Sequence, residues 1–226
     1  QSLNIPTIRL SEEVGRDVVR NVASGFGVGE KLASGPALAL GVSEATLIDM
    51  VGAYAGILNR GISITPFGLN ELRLFGEDTA LMGATNSAGQ RVISPTAAHN
   101  LIFMMQNVIV EGTGQKAAIE GWQTAGKTGT TQSARDAWFI GFSSDYVIGV
   151  WMGYDDNTSL TGVTGGGLPA EIWKATMLRA QGGLPPSALV QTPQTHSEAR
   201  KPIKSLDQDQ STNAINRFLR KLFGQN

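Results

Sequence analysis

Hydrophobic residues recur at helical spacing in several stretches of this chain, and each stretch carries its own boundary signals. The first runs from Ser11 to about Ala23, with Ser11 as the predicted N-cap and a face of valines. Ser43 is the predicted cap of a second helix that ends near Asn59, before Gly61. Further helices are predicted to start at Ser94-Pro95 and continue until Gly112, and to cover residues 169 to about 180.

Strands are predicted between the last two helices, where short β-prone runs are separated by turns. The stretch from residue 124 to 131 is rich in small residues, and two apolar runs follow it at 137–142 and 146–154. Their short connections favour an antiparallel meander, and their continuous apolar character indicates burial on both faces. Residues 62–93 predict a hairpin-like excursion. We therefore expect an α/β (α+β) fold, an antiparallel sheet flanked by helices.

Composition narrows the function classes. The 226 residues, 41% of them hydrophobic, suit one domain or one and a half, and a net charge of −1 provides no basic field for nucleic acid. There is no cysteine and there are only two histidines, His99 and His196, so neither a disulfide nor a zinc site is predicted, and we expect no cofactor. No run of 18 apolar residues occurs, so a membrane anchor would lie outside this chain.

The chain changes character after Gly183. Proline, glutamine, serine and threonine dominate from there on, which predicts a disordered polar linker over residues 183–212. Residues 213–226 carry an apolar stripe beside Arg217, Arg220 and Lys221, which is typical of a short amphipathic basic helix or of a frayed tail. The predicted folded domain is therefore residues 1–182.

The strongest candidate for chemistry is Lys127, in the middle of the small-residue strand. Gly126 and Gly129 leave room for a ligand or another backbone to approach, and Thr128 and Thr130 add hydroxyls. With period-2 alternation, the two threonines lie on the face opposite Lys127. An edge strand whose lysine discourages aggregation is the alternative interpretation.

These residues also resemble a known family, the penicillin-binding proteins, and in particular its bifunctional class A branch. The resemblance extends over about residues 1–182 and implies the transpeptidase fold that serine β-lactamases share. It is carried by Lys127-Thr128-Gly129-Thr130-Thr131, Asp136-Ala137-Trp138-Phe139-Ile140-Gly141, Val150-Trp151-Met152-Gly153-Tyr154-Asp155-Asp156-Asn157, Gly165-Gly166-Gly167-Leu168-Pro169-Ala170, Ile172-Trp173-Lys174, Leu38-Ala39-Leu40-Gly41 and Val110-Glu111-Gly112-Thr113-Gly114. Ser2-Leu3-Asn4 resembles the family's serine-x-asparagine motif, which lies on a loop between helices and faces the lysine strand.

The resemblance implies roles for the motif residues. Ser2 would relay a proton, Asn4 would bind the substrate amide, and Lys127 would attract the terminal carboxylate. Thr128 and Thr130 would bind that carboxylate through their hydroxyls, Gly129 would let the substrate backbone approach, and the N–H of Thr130 would donate to the oxyanion. The implied substrate is the D-alanyl-D-alanine end of a peptidoglycan stem peptide, lying antiparallel to the Lys127 strand, and β-lactams would acylate the same site.

One family motif has no counterpart here, because no serine-x-x-lysine spacing precedes Lys127. The chain is therefore expected to be an N-terminally truncated transpeptidase domain that is inactive alone. The resemblance implies an upstream segment with the nucleophile, a glycosyltransferase domain, a membrane anchor outside the chain, and a location in the bacterial periplasm or on the outer face of the inner membrane. A serine β-lactamase, a D,D-carboxypeptidase, and a non-catalytic remnant or interaction module remain as alternatives.

Overall fold

The computed structural model describes residues 2–29, 31–76, 78–83 and 89–189. Its helices and strands, in chain order, are α1 (Asn4–Val14), α2 (Arg16–Gly25), α3 (Leu47–Leu58), β1 (Glu71–Arg73), β2 (Ala80–Gly83), α4 (Pro95–Val110), β3 (Ala125–Thr130), β4 (Asp136–Phe142), β5 (Val147–Gly153) and α5 (Leu168–Ala180). Short 3-10 segments lie at Pro36–Leu40, Gln115–Ala117 and Gln132–Ala134.

The main sheet is an antiparallel meander in the order β3-β4-β5. Lys127 of β3 lies opposite Ile140 of β4, and Ile140 lies opposite Gly149 of β5. Within the part of the chain that the structure describes, the other edge of β3 has no neighbouring strand. The meander predicted from the spacing of the apolar runs is confirmed, and the strand that carries Lys127 lies at its margin.

Helix α5 covers one face of this sheet. Trp173 and Phe139 are fully buried there, with ring centroids 5.2 Å apart. The Trp173 indole N–H is shared between the carbonyl oxygens of Gly141 and Ile148, at 3.2 and 3.0 Å, so its polar atom is satisfied in the core. Burial of two large aromatic side chains contributes roughly 1.5–3 kcal/mol each to the fold.

Helices α3 and α4 cover the opposite face. Phe142 comes three positions after Phe139 along β4, so its side chain points to the other side, where it packs with Ile57 and Met105. Gly149 of β5 lets α3 approach closely, because a Cβ at that position would lie 2.7 Å from the Val51 side chain. The expected sheet with helices on both faces is therefore confirmed. Burial is uneven, however, since Trp151 of β5 is 39% exposed.

The predicted helix from Ser11 to Ala23 is wrong at its start and lacks a break that the structure shows. Helix α1 already begins at Asn4, and Ser11 is a buried residue inside it, not an N-cap. Pro6 is compatible with this start because the first turn of a helix needs no intrahelical N–H donors. Gly15 adopts φ 97° and ends α1 before α2 begins. The Ser2-Leu3-Asn4 motif was expected on a loop, but only Ser2 and Leu3 precede the helix, and Asn4 is the first residue of α1.

Capping was predicted correctly for α4 and incorrectly for α3. Ser94 caps α4, with its hydroxyl accepting from the Ala97 N–H at 3.1 Å. Thr46, rather than Ser43, caps α3 and accepts from the Asp49 N–H at 3.1 Å. The Ser43 hydroxyl accepts from the Ala33 N–H instead, at 2.9 Å, so this serine stabilises the preceding loop.

Strands β1 and β2 form the predicted hairpin-like excursion, and an isolated bridge between Ile62 and Arg91 closes its base. After α5, Leu189 is buried against the α3–α4 core, and its N–H donates to the Gln123 side chain at 3.1 Å. The start of the predicted linker, residues 183–189, thus includes a packed position. The remainder of that linker and the helix predicted over 213–226 lie outside the described residues.

Candidate active site

The exposed edge of β3 presents hydrogen-bonding groups of the backbone. The N–H of Thr131 donates to the carbonyl of Asp136 at 3.1 Å, and the register pairs Thr130 with Ala137. Residues of an antiparallel pair alternate between those that bond their partner and those that point away. The N–H and C=O groups of Thr128 and Thr130 therefore point away from β4, where an extended ligand could pair with them.

Lys127 and Ser2 meet at this edge. The Lys127 ammonium donates to the Ser2 hydroxyl at 2.6 Å and to the carbonyl of Thr128 at 3.0 Å. Burial lowers the pKa of Lys127 below its ordinary value, because the surrounding protein disfavours the charged form. The structure thus brings together two of the predicted catalytic residues, which are 125 positions apart in sequence.

Asn4 is the first residue of α1 and is exposed. It lies two positions after Ser2, so the start of the helix holds both polar side chains on the same short segment. Among the described residues its amide has no hydrogen-bond partner, which leaves it available to a ligand. Its predicted contact with substrate stays a prediction.

The two threonines of β3 are engaged on the other face of the strand. The hydroxyl of Thr128 is 2.7 Å from that of Thr113, and either oxygen can be the donor. The hydroxyl of Thr130 accepts the N–H of Gly165 at 3.0 Å. Because a hydroxyl that accepts an N–H keeps its own proton, Thr130 can still donate to an anion.

The segment around Gly165 and Gly166 packs directly on β3. A Cβ at Gly165 would lie 2.9 Å from the Gly129 nitrogen and closer still to the carbonyl oxygens of Gly129 and Trp138. A Cβ at Gly166 would collide with the carbonyl oxygen of Thr113. Only glycine permits such an approach of one backbone to another, so the threonine face of β3 is closely supported.

Three of these contributors were not identified as site residues from the sequence: Thr113, Gly165 and Gly166. Both of the motifs that contain them, Val110-Glu111-Gly112-Thr113-Gly114 and Gly165-Gly166-Gly167-Leu168-Pro169-Ala170, were part of the family pattern. The signal was therefore present, but a local pattern does not indicate which distant strand a loop contacts.

The described residues contain neither a candidate metal site nor a helix that could span a membrane. Over that part of the chain, no three histidine or carboxylate side chains are grouped in a way that could hold a metal ion. Likewise, none of the helices observed there has the length and apolar character needed to cross a membrane. Tyr54 of α3 packs against the core formed by α3 and α4, and burial raises its pKa to about 12.

Comparison with known proteins shows which family this chain resembles. A family model described as the penicillin-binding protein transpeptidase domain matches residues 1–178. Penicillin-binding protein 1A of Aquifex aeolicus is 33% identical over 70% of this chain, and penicillin-binding protein 1A of Neisseria meningitidis is 31% identical over 76% of it. The chain spans about a fifth of the length of these relatives, since the matches cover 22% of each.

Solved structures show the same similarity. Penicillin-binding protein 1A of Haemophilus influenzae matches with a TM-score of 0.75 and 26% identity, over 85% of this chain and 35% of that one. Penicillin-binding protein A of M. tuberculosis, solved as an imipenem acyl-enzyme complex, matches with a TM-score of 0.64 and 25% identity, over 78% of this chain and 45% of that one. From sequence and fold together, this chain belongs to the penicillin-binding protein transpeptidase family, and its relatives include penicillin-binding proteins 1A and 1B.

Proposed function

We propose that this chain forms the substrate-binding part of a serine-type D,D-transpeptidase, which cross-links peptidoglycan stem peptides by acyl transfer. The observation that carries the proposal is the 2.6 Å contact between the Lys127 ammonium and the Ser2 hydroxyl at the open edge of β3. A cation, a hydroxyl and an unpaired strand edge are the features needed to bind an extended peptide that ends in a carboxylate.

The open edge supports an extended substrate. Thr128 and Thr130 direct their backbone groups away from β4, so a stem peptide can lie antiparallel along β3 as an added strand. Gly129 has no side chain to obstruct it. The terminal carboxylate of D-alanyl-D-alanine would then be bound by the Lys127 charge and by the Thr128 and Thr130 hydroxyls. Penicillin, which carries a carboxylate beside a strained amide, would occupy the same place.

The acyl transfer needs a nucleophile, and we propose that a serine-x-x-lysine segment supplies it. Its serine oxygen attacks the carbonyl carbon of the penultimate D-alanine while its proton passes to the lysine of the same segment. The Thr130 N–H donates to the oxygen that becomes negative. The C–N bond then breaks, and Ser2 passes a proton to the leaving amine of D-alanine. The amino group of a second stem peptide then attacks the ester carbonyl and gives up a proton, the serine oxygen leaves and takes up a proton, and the cross-link forms as the serine is restored.

Asn4 would orient the substrate by hydrogen bonding to its amide. We propose that the same protein carries a glycosyltransferase domain and a membrane anchor, and that it acts in the bacterial periplasm or on the outer face of the inner membrane. These proposals are supported by the similarity to class A relatives, of which this chain spans about a fifth.

Fluorescent penicillin tests the proposal. The chain alone is compared with the complemented protein, meaning this chain together with a serine-x-x-lysine segment from a class A relative. We expect a covalent label, seen by intact mass and in-gel fluorescence, only in the complemented protein. Labelling of the isolated chain would contradict the proposal that a serine-x-x-lysine segment supplies the nucleophile. Absence of label from a folded complemented protein would favour a non-catalytic interaction module.

A further inference from the structure

Thr113 lies outside the lysine strand, yet its hydroxyl is the partner of one of the two threonine hydroxyls on that strand. The Thr113 and Thr128 oxygens are 2.7 Å apart, a normal length for an O–H···O hydrogen bond. Thr113 lies three residues after Val110, the last residue of α4, and 15 residues before Thr128. The contact therefore links the end of that helix to the substrate edge of β3.

The direction of this hydrogen bond decides what Thr128 can do. Each threonine hydroxyl has one proton to donate and lone pairs to accept. If Thr128 donates to Thr113, its proton is unavailable to a ligand. If Thr113 donates to Thr128, the Thr128 proton can be given to an anion. An arriving carboxylate favours the second arrangement, because hydrogen bonds to an ionised acceptor are the stronger ones.

Thr113 is held in place by its backbone surroundings. The N–H of Gly114 donates to the carbonyl of Val108 at 2.8 Å, which ties the segment back onto α4. On the other side, the Thr113 carbonyl fills the space that a Cβ of Gly166 would need. The Thr113 hydroxyl is thus presented to Thr128 from a fixed position.

We propose that Thr113 is a positioning residue for the carboxylate site: it donates to Thr128 and so turns the Thr128 proton toward the substrate carboxylate. The proposal rests on the proposed function, because it specifies how one hydroxyl of that site is oriented. Thr113 itself does not touch substrate.

The test uses the complemented protein and two probes, benzylpenicillin and its methyl ester, which lacks the negative charge. Thr113→Val removes the hydroxyl at nearly constant volume, and Thr113→Ser is the control that keeps it. The hydrogen bond predicts that Thr113→Val acylates roughly threefold to tenfold more slowly with benzylpenicillin. We expect unchanged rates with the methyl ester, and Thr113→Ser within about twofold of wild type on both probes.

A double-mutant cycle separates positioning from a general structural effect. If Thr113 acts through Thr128, Thr113→Val has no further effect in a Thr128→Val background. Equal losses on both probes, additive losses in the cycle, or no loss in Thr113→Val would each overturn the inference. If Thr113→Val does not fold, the smaller Thr113→Ala takes its place in the same comparison. Failure of the proposed function gives a different result, because the wild-type complemented protein would then not be acylated by either probe.

Discussion

The two sides of β3 are built in different ways. On one side Lys127 reaches Ser2 through a single hydrogen bond to an exposed residue that precedes α1. On the other side Thr128 and Thr130 are held by Thr113 and Gly165, in a region where glycines allow backbones to touch. We therefore expect the two sides of β3 to have different roles. In the proposed function, the threonine side would be a rigid support for the substrate, while the lysine side would provide charge and proton transfer across a less constrained contact.

The largest effect is expected on the lysine side. Lys127→Ala in the complemented protein removes the charge that is proposed to bind the carboxylate and to support the relay, so acylation by fluorescent penicillin should fall by roughly a hundredfold or more. Lys116→Ala is the matched control: this exposed lysine pairs with Glu171 at 2.6 Å, and such surface pairs contribute little. Equal labelling of both variants would remove Lys127 from the site.

Ser2→Ala should have the next largest effect. Loss of a proton relay predicts a decrease in acylation of about a hundredfold, whereas the unfolding temperature should not change because Ser2 is exposed. Ser24→Ala, another exposed serine, is the control. Stopped-flow acylation and a thermal unfolding curve measure the two quantities. A normal acylation rate in Ser2→Ala would show that the contact with Lys127 is only structural.

A Cβ added at Gly165, which packs against β3 beside its threonines, should reduce both stability and activity. Gly165→Ala places a methyl group against the backbone of Gly129, and overpacking of this kind costs about 1–3 kcal/mol of unfolding free energy. Acylation should also fall, by roughly tenfold or less, because Thr130 loses the Gly165 N–H. Gly35→Ala is the control, since a Cβ there meets nothing within 4 Å. Urea unfolding that does not distinguish the two variants would contradict the close packing.

The smallest predicted effect is a pH dependence of stability. Burial lowers the pKa of Lys127 in the folded chain, so the unfolded chain binds the proton more tightly. At neutral pH the charge on Lys127 should therefore lower the free energy of unfolding of the wild type relative to that of Lys127→Met. This difference should diminish as pH rises from the lowered pKa toward the ordinary lysine value of 10.5. Urea unfolding of both proteins across this pH range measures the difference in their free energies of unfolding. A difference that widens as pH rises would contradict the prediction.

Much of the fold was predictable because its signals are local. Short local patterns predict these elements: Ser94-Pro95 predicts the start of α4, and the apolar runs predict β4 and β5. The break at Gly15 was missed because the valines on both sides keep a helical spacing. The Thr46 cap was missed because Ser43 offered an equally good signal.

The contacts of the candidate site, too, were predictable only in part from the sequence. The meeting of Ser2 with Lys127 was expected from the family motifs, whose order along the chain implies a shared cleft. The contacts of Thr113 and Gly165 were not expected. Their partners on β3 are 15 and 35 residues away, and only the folded backbone shows that these loops approach that strand.

A crystal structure of the complemented protein acylated by benzylpenicillin tests the central claim most directly. We predict that the penicillin carboxylate lies within hydrogen-bonding distance of the Thr128 and Thr130 hydroxyls, beside the Lys127 ammonium, with the acyl oxygen at the Thr130 N–H. An acylated structure whose carboxylate lies away from β3, with Ser2 separated from Lys127, would contradict the account.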